Sequence, residues 1–203
     1  MSKDISVQLA RAGSPAFPAA LWLRAAGVVL AGSAFVALCA HIALPLSFTP
    51  APLSMAPFAV LLLGLLLRPR LAAATLGAYL AEGALGLPVF APTLPGGPAH
   101  LIGPTGGYLV AYPMAAALVA ILWRRSRSSR SFAAAALSAA AGSAAILACG
   151  ALWLAVFTHG SARSAMTLGV LPFLPGDALK ILAAAGVAVG LLRLRRRTTQ
   201  PQP

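Results

Sequence analysis

Two ionisable residues stand where charge is expensive. Asp177 and Lys180 lie in Leu171-Pro-Phe-Leu-Pro-Gly-Asp-Ala-Leu-Lys180, the segment that opens the last long apolar run. Each adds roughly 2.5–3.5 kcal/mol at the centre of a bilayer helix on the insertion scale, and such residues are rarely kept there without use. Being three apart, they share a helical face. Pro175 suits a first helical turn, which leaves Asp177 near a helix N-terminus, where negative charge is favoured. The pair reads either as a self-satisfied ion pair that orients its helix or as a ligand site. Tyr79 and Glu82, also three apart, occupy a second apolar run.

Other chemistries lack their residues. Serines are plentiful and His41, His100 and His159 are present, yet no Gly-x-Ser-x-Gly elbow or His-Glu-x-x-His helix appears. An intramembrane hydrolase is therefore the rival reading from another class, and the expectation is that the chain is not an enzyme. No P-loop exists, since Gly103-Pro-Thr-Gly-Gly has the wrong spacing and no following lysine, so the chain does not hydrolyse ATP. Cys39 and Cys149 sit in apolar runs without partners at metal-ligand spacing and read as buried thiols. No metal or cofactor is expected.

The elements that position the pair are membrane spans. The chain has 203 residues, 60% hydrophobic and 9% charged, against soluble averages of roughly 45–50% and 25%. Apolar runs cover about 21–44, 58–67, 71–87, 105–123, 132–157 and 171–192, and 159–171 reads as the loop that leads into the last of them. They predict an all-α protein with six transmembrane helices at 21–192, between tails at 1–20 and 193–203. Residues 45–57 are too rich in proline for continuous helix, and at membrane depth such backbone must be covered by protein or line a cavity. In the first span, Gly27 and Ala31, like Ser33 and Ala37, are small residues four apart that permit close helix approach.

The net charge of +12 is distributed as a membrane protein distributes it. Lys3, Arg11, Arg24, Arg68, Arg70, the 124–130 cluster and the 193–197 cluster fall on one side of a six-span chain, and only Arg163 on the other. The positive-inside rule places both termini in the cytoplasm and disfavours nucleic acid as a partner. The stretch 45–57, the Tyr79/Glu82 end of the third span, the loop 88–108 and the start of the sixth span then converge in the outer half. Capture of a small solute from outside explains that convergence.

Four blocks carry a family resemblance: Pro50-Ala-Pro-Leu-Ser-Met-Ala-Pro57 with the run that follows, Tyr79-Leu-Ala-Glu-Gly-Ala-Leu-Gly-Leu-Pro-Val-Phe-Ala91, Gly103-Pro-Thr-Gly-Gly-Tyr-Leu109 and Pro172-Phe-Leu-Pro-Gly-Asp-Ala-Leu-Lys180. In this order they resemble the signature blocks of the BioY family, the biotin-specific S-components of energy-coupling factor (ECF) transporters. One departure is Ala56, which stands where that family often has Gln. The resemblance implies a biotin site near Asp177 and Lys180, with Tyr79, Phe90 and Tyr108 as aromatic walls. Gly106 and Gly107 would let backbone approach either the ligand or a neighbouring helix. Glu82 is read as a ligand residue, or as a carboxyl that is paired with Arg or Lys or is protonated. The implied partners are a transmembrane coupling subunit and two ATPase subunits, or a looser arrangement in which the S-component works alone or as a homo-oligomer, in a prokaryotic cytoplasmic (inner) membrane. The face of Gly27, Ala31, Ser33 and Ala37 is the expected docking surface for the coupling subunit. The runner-up is an S-component of this architecture for another small vitamin.

Overall fold

Backbone amides surrounded by lipid must find partners within their own segment, so long apolar runs fold as helices. The computed structural model describes residues 19–199 except 48, 50, 94–96 and 127–130. Residues 1–18 of the expected N-terminal tail, Pro50 of the first signature block and residues 127–130 of the basic cluster thus lie outside the described residues. In chain order come α1 (Ala19–His41), β1 (Ala43–Leu44), β2 (Leu53–Ser54), α2 (Ala56–Leu66) and α3 (Pro69–Ala84). Then follow α4 (Ala99–Ile102), α5 (Gly106–Arg125), α6 (Phe132–Phe157), α7 (Ala162–Gly169), a 3-10 turn (Leu171–Phe173) and α8 (Leu174–Thr199).

Among the described residues, six helices exceed ten residues, in the order of the six expected spans. Three of them, α1, α5 and α6, are long and apolar enough to cross a membrane unaided. Helix α2, with 11 residues, is only about 17 Å long at ~1.5 Å per residue, roughly half the ~30 Å of a hydrocarbon core. The chain before it forms a β-hairpin, in which Ala43 faces Ser54 and Leu44 faces Leu53 in antiparallel register. Leu53 and Ser54 of the proline-rich stretch thus belong to a small hairpin. Its tip is tied down where Thr49 donates to the Leu168 carbonyl at 2.7 Å.

Helix α5 lies at the centre, packed against α6, α3 and α2, while α8 packs on α2 and α6 and α1 packs on α3. Small side chains make these approaches close: Ala115, Ala116, Ala135, Ala139, Ala184 and Ala185 are all fully buried. The α6–α8 pairing is antiparallel, since Ser143 meets Asp177 and Phe132 lies beside Gly186.

Three expectations are corrected. Helix α8 continues through the arginine cluster to Thr199 rather than stopping near 192, because Leu and Arg are good helix formers and cations suit a helix C-terminus. The stretch 159–171, expected as a loop, contains α7, whose N-cap Ser161 accepts from the Ser164 amide. The small-residue face of α1 is in fact two faces. At about 100° per residue, Ser33 points roughly opposite to Ala31. Ser33 is fully buried and donates to Glu82 of α3, whereas Gly27 and Ala31 are exposed and Ala37 is half-buried. Ser33 therefore serves the internal α1–α3 contact and is no free docking residue.

Candidate functional site

The segment before α8 sets the site. Pro172 and the 3-10 turn end the chain's run from α7, and α8 starts at Leu174 with Pro175 in its first turn. Asp177 and Lys180 are then the fourth and seventh residues of the helix, about 5 and 9 Å along it. Both are 5% exposed. Lys180 Nζ donates to Asp177 Oδ1 at 3.0 Å, and Ser143 Oγ of α6 donates to Asp177 Oδ2 at 2.7 Å. Asp177 thus has a proton donor on each oxygen. Lys180 uses one of its three N–H groups among the described residues, which leaves two for something else in a place water does not freely reach.

The two residues form one wall of a cavity. Opposite stand aromatic rings. Tyr79 of α3 lies edge-on to Phe90, with centroids 5.3 Å apart, and is stacked with Tyr112 of α5 at 6.4 Å. Phe90 also touches His100 of α4, at 5.2 Å. The ring of Phe90 is seated over Gly83, where any Cβ would collide with it. Tyr108 lies beside Phe173 at 6.1 Å and gives its hydroxyl to the Gly169 carbonyl at 2.6 Å, fastening the end of α7 to α5. The hairpin closes another side with Ala51, Pro52 and Ser54, and the short α2 contributes its first residues, Ala56 and Pro57. The result is an apolar and aromatic chamber with one buried ion pair in its wall, the usual composition of a small-molecule site.

Of the candidate ligand residues, Asp177, Lys180, Tyr79, Phe90 and Tyr108 are brought around this one cavity. Glu82, Gly106 and Gly107 are not. Three residues along α3 turn the side chain by about 60°, so Tyr79 faces α5 while Glu82 faces α1. There Glu82 accepts from Ser33 and borders a separate groove with Leu30, His41 and Val89. Gly106 and Gly107 serve helix packing: a Cβ at Gly107 would strike Trp153 and the Cys149 carbonyl, and one at Gly106 the Leu101 carbonyl. Trp153 is held there by its indole N–H, which donates to the Gly103 carbonyl at 2.8 Å.

Sequence reasoning did not single out Tyr112, His100 or Ser143. Tyr112 was within reach, since it stands four after Tyr108 on the same helical stripe. His100 lay in a loop with no periodicity to orient it. Ser143 looked like any small residue of an alanine-rich helix, and only the α6–α8 packing brings its hydroxyl to Asp177.

Comparison with known proteins agrees with this fold. The chain superposes on the solved S-component for biotin from an ECF-type ABC transporter with a TM-score of 0.78 at 23% identity, covering 85% of this chain and 93% of that one. It shares that fold. The probable biotin transporter BioY of Pyrococcus horikoshii is 38% identical over 70% of this chain and 81% of its own length. The biotin transporter BioY of Thermotoga maritima is 34% identical over 80% of this chain and 92% of its own. The model of the BioY family matches residues 10–197, nearly everything from the N-terminal tail to the arginines that close α8. This multi-pass, helical membrane chain belongs to the BioY family.

Proposed function

We propose that the protein binds biotin from outside the cell and carries it across the cytoplasmic membrane as the substrate-specificity subunit of an ECF-type ABC transporter. The observation that carries this reading is the buried Asp177–Lys180 pair in an aromatic cavity, in a chain of the BioY family. Biotin offers a ureido ring with two N–H donors and a carbonyl, an apolar fused-ring body and a valerate carboxylate. The free donors of Lys180 suit the carboxylate or the ureido carbonyl, and Asp177 holds the ammonium in place while keeping lone pairs for an N–H. Tyr79, Phe90, Tyr108 and Tyr112 suit the ring body. The chain is a transport component and not an enzyme.

The basic residues support the orientation. Arg68 and Arg70 flank the α2–α3 turn, Arg124 and Arg125 end α5, and Arg193 lies in the last part of α8. All are at the end of the bundle away from the cavity, which makes that end cytoplasmic. Transport energy comes from partners, a transmembrane coupling subunit and two ATPase subunits, and self-association remains an alternative arrangement. The cytoplasmic half of α1 is the docking surface this reading favours, with Gly27 and Ala31 exposed among Leu21, Trp22, Leu23 and Leu30.

Binding of radiolabelled biotin to the purified protein tests the proposal, with a panel of other vitamins as competitors. Saturable binding displaced by unlabelled biotin alone is expected. No saturable binding of radiolabelled biotin, with saturable binding of another radiolabelled vitamin, would transfer the site to that ligand.

A further inference from the structure

Helix α8 outruns the bundle it belongs to. A Cβ on Gly186 would lie 3.9 Å from the Phe132 ring, so α6 begins about level with Gly186. Thr199 is thirteen residues further along α8, about 20 Å at ~1.5 Å per residue. The bundle covers α8 as far as Ala188 and Val189, which are buried, whereas Leu191 and Leu194 are 43% and 60% exposed and Arg193 is exposed. From Gly190 to Thr199 the helix is therefore an arm at the end away from the cavity, the cytoplasmic end in the orientation proposed above.

The arm reads Gly190-Leu-Leu-Arg-Leu-Arg-Arg-Arg-Thr-Thr199 and so carries Arg193, Arg195, Arg196 and Arg197. Among the described residues nothing answers that charge. Asp177 pairs with Lys180, Glu82 accepts from Ser33, and Asp4, the last of the three acidic residues, lies outside the described residues. A helix of ten residues is marginal on its own in water, so a partner from outside the chain is called for. The leucines say which kind. Val187, Leu191 and Leu194, all exposed, follow one another at the spacing of a single helical stripe. Val187 is next to Gly186, level with the start of α6, so an apolar stripe that begins on the bundle runs on into the arm. The headgroup layer beyond the ~30 Å core is about 5–8 Å thick, and Arg193 is about 10 Å past Gly186 along the helix. The arm thus begins inside that layer, and surface charge is felt for a further ~8 Å.

We infer that the arm of α8 is a seat for anionic phospholipid. Leu191 and Leu194 rest at the acyl boundary and the arginines bind headgroup phosphates, as basic amphipathic helices do at membrane surfaces. A second copy of the chain is a poor occupant, since it would bring an equally basic arm. An acidic protein surface would answer the arginines but would leave the leucine stripe without its continuation into lipid.

Limited trypsinolysis of the purified full-length chain in nanodiscs tests this. Discs of phosphatidylcholine alone are compared with discs that also contain phosphatidylglycerol, and a soluble peptide substrate in each suspension gives the protease's own rate. Cleavage after Arg193, Arg195, Arg196 and Arg197, followed by mass spectrometry, should be about tenfold slower in the anionic discs, and high salt should remove much of that protection. Leu191→Ser/Leu194→Ser keeps every arginine and should lose most of the protection. Equal rates for the wild type in the two kinds of disc would overturn the inference, and that comparison needs no variant. Slow cleavage in both would show an arm sheltered by its own chain. Protection that survives Leu191→Ser/Leu194→Ser would leave the arm attracted by charge but outside the headgroup layer. Protection that appears only when the coupling and ATPase subunits are present would give the arm to a protein. Each of these three results also overturns the inference.

Discussion

Replacing Asp177 by Asn keeps the side-chain shape and removes the charge that faces Lys180. The amide can still accept from Ser143, so the α6–α8 contact survives. What is lost is the partner of an ammonium that is itself 5% exposed. Stranding a buried charge costs about 3–5 kcal/mol, so Asp177→Asn should lower thermal stability clearly. The same change misplaces the Lys180 donors and removes a charged acceptor. One charge-assisted hydrogen bond contributes about 1.5–3 kcal/mol, which predicts roughly 10- to 100-fold weaker biotin binding. Lys180→Met keeps the apolar stem and should weaken binding to a similar degree. The double variant Asp177→Asn/Lys180→Met separates the two roles. Exchanging a whole buried ion pair for neutral or apolar groups is often close to neutral for stability, so its melting temperature should return toward that of the wild type. Its affinity should not return. Differential scanning fluorimetry and radioligand titration on the same preparations read both quantities. A double variant that regains stability and wild-type affinity together would show that the pair only holds the helix, and would refute its role in binding.

Two further outcomes are expected. In a chain with Cys39→Ala and Cys149→Ala, a cysteine at the exposed position Arg125 should resist a membrane-impermeant thiol reagent in intact cells, and one at the exposed position Pro92 should react; the opposite pattern would invert the topology and close the site to the outside. Ala31→Leu, on the exposed face of α1, should leave biotin binding and thermal stability intact while reducing co-purification with the coupling subunit. Ser33→Ala, which removes the donor to Glu82, should instead lower stability by about 1–2 kcal/mol with co-purification unaffected in the folded fraction. Reversed effects of these two substitutions would move the docking surface away from Ala31.

How much of this was legible in the sequence depended on how local each cause was. Asp177 and Lys180 stood out because a three-residue spacing and a preceding Pro-Gly place both on one face of a helix start, whatever the rest of the chain does. The aromatic wall was legible for Tyr79, Phe90 and Tyr108 by type and depth. Glu82 was misplaced because a spacing of three gives a shared broad face but not a shared neighbour. The 60° between Tyr79 and Glu82 decides which of two helices each one meets, and only the packing of α3 between α1 and α5 supplies that information. The same arithmetic split Ser33 from Ala31. The hairpin was invisible as such, since proline forbids helix without saying what replaces it.

That hairpin and the shortness of α2 are one structural fact seen from two sides. A helix of 11 residues leaves the outer part of its layer without a rod to fill it. Non-helical backbone persists at that depth only where protein or a cavity covers it, and here it has both. Thr49 ties the hairpin to α7 through Leu168, Leu53 lies against Gly176 beside Asp177, and Ala51, Pro52 and Ser54 face the cavity. The opposite rim is the segment that carries Phe90 and runs into the short α4 with His100, pinned by the bond from His100 to Ala91. The site therefore sits between the hairpin and the segment that runs from Phe90 into α4, above a bundle floor packed with small side chains. In the orientation proposed above, a solute from outside meets the hairpin and the Phe90 segment before it meets the ion pair.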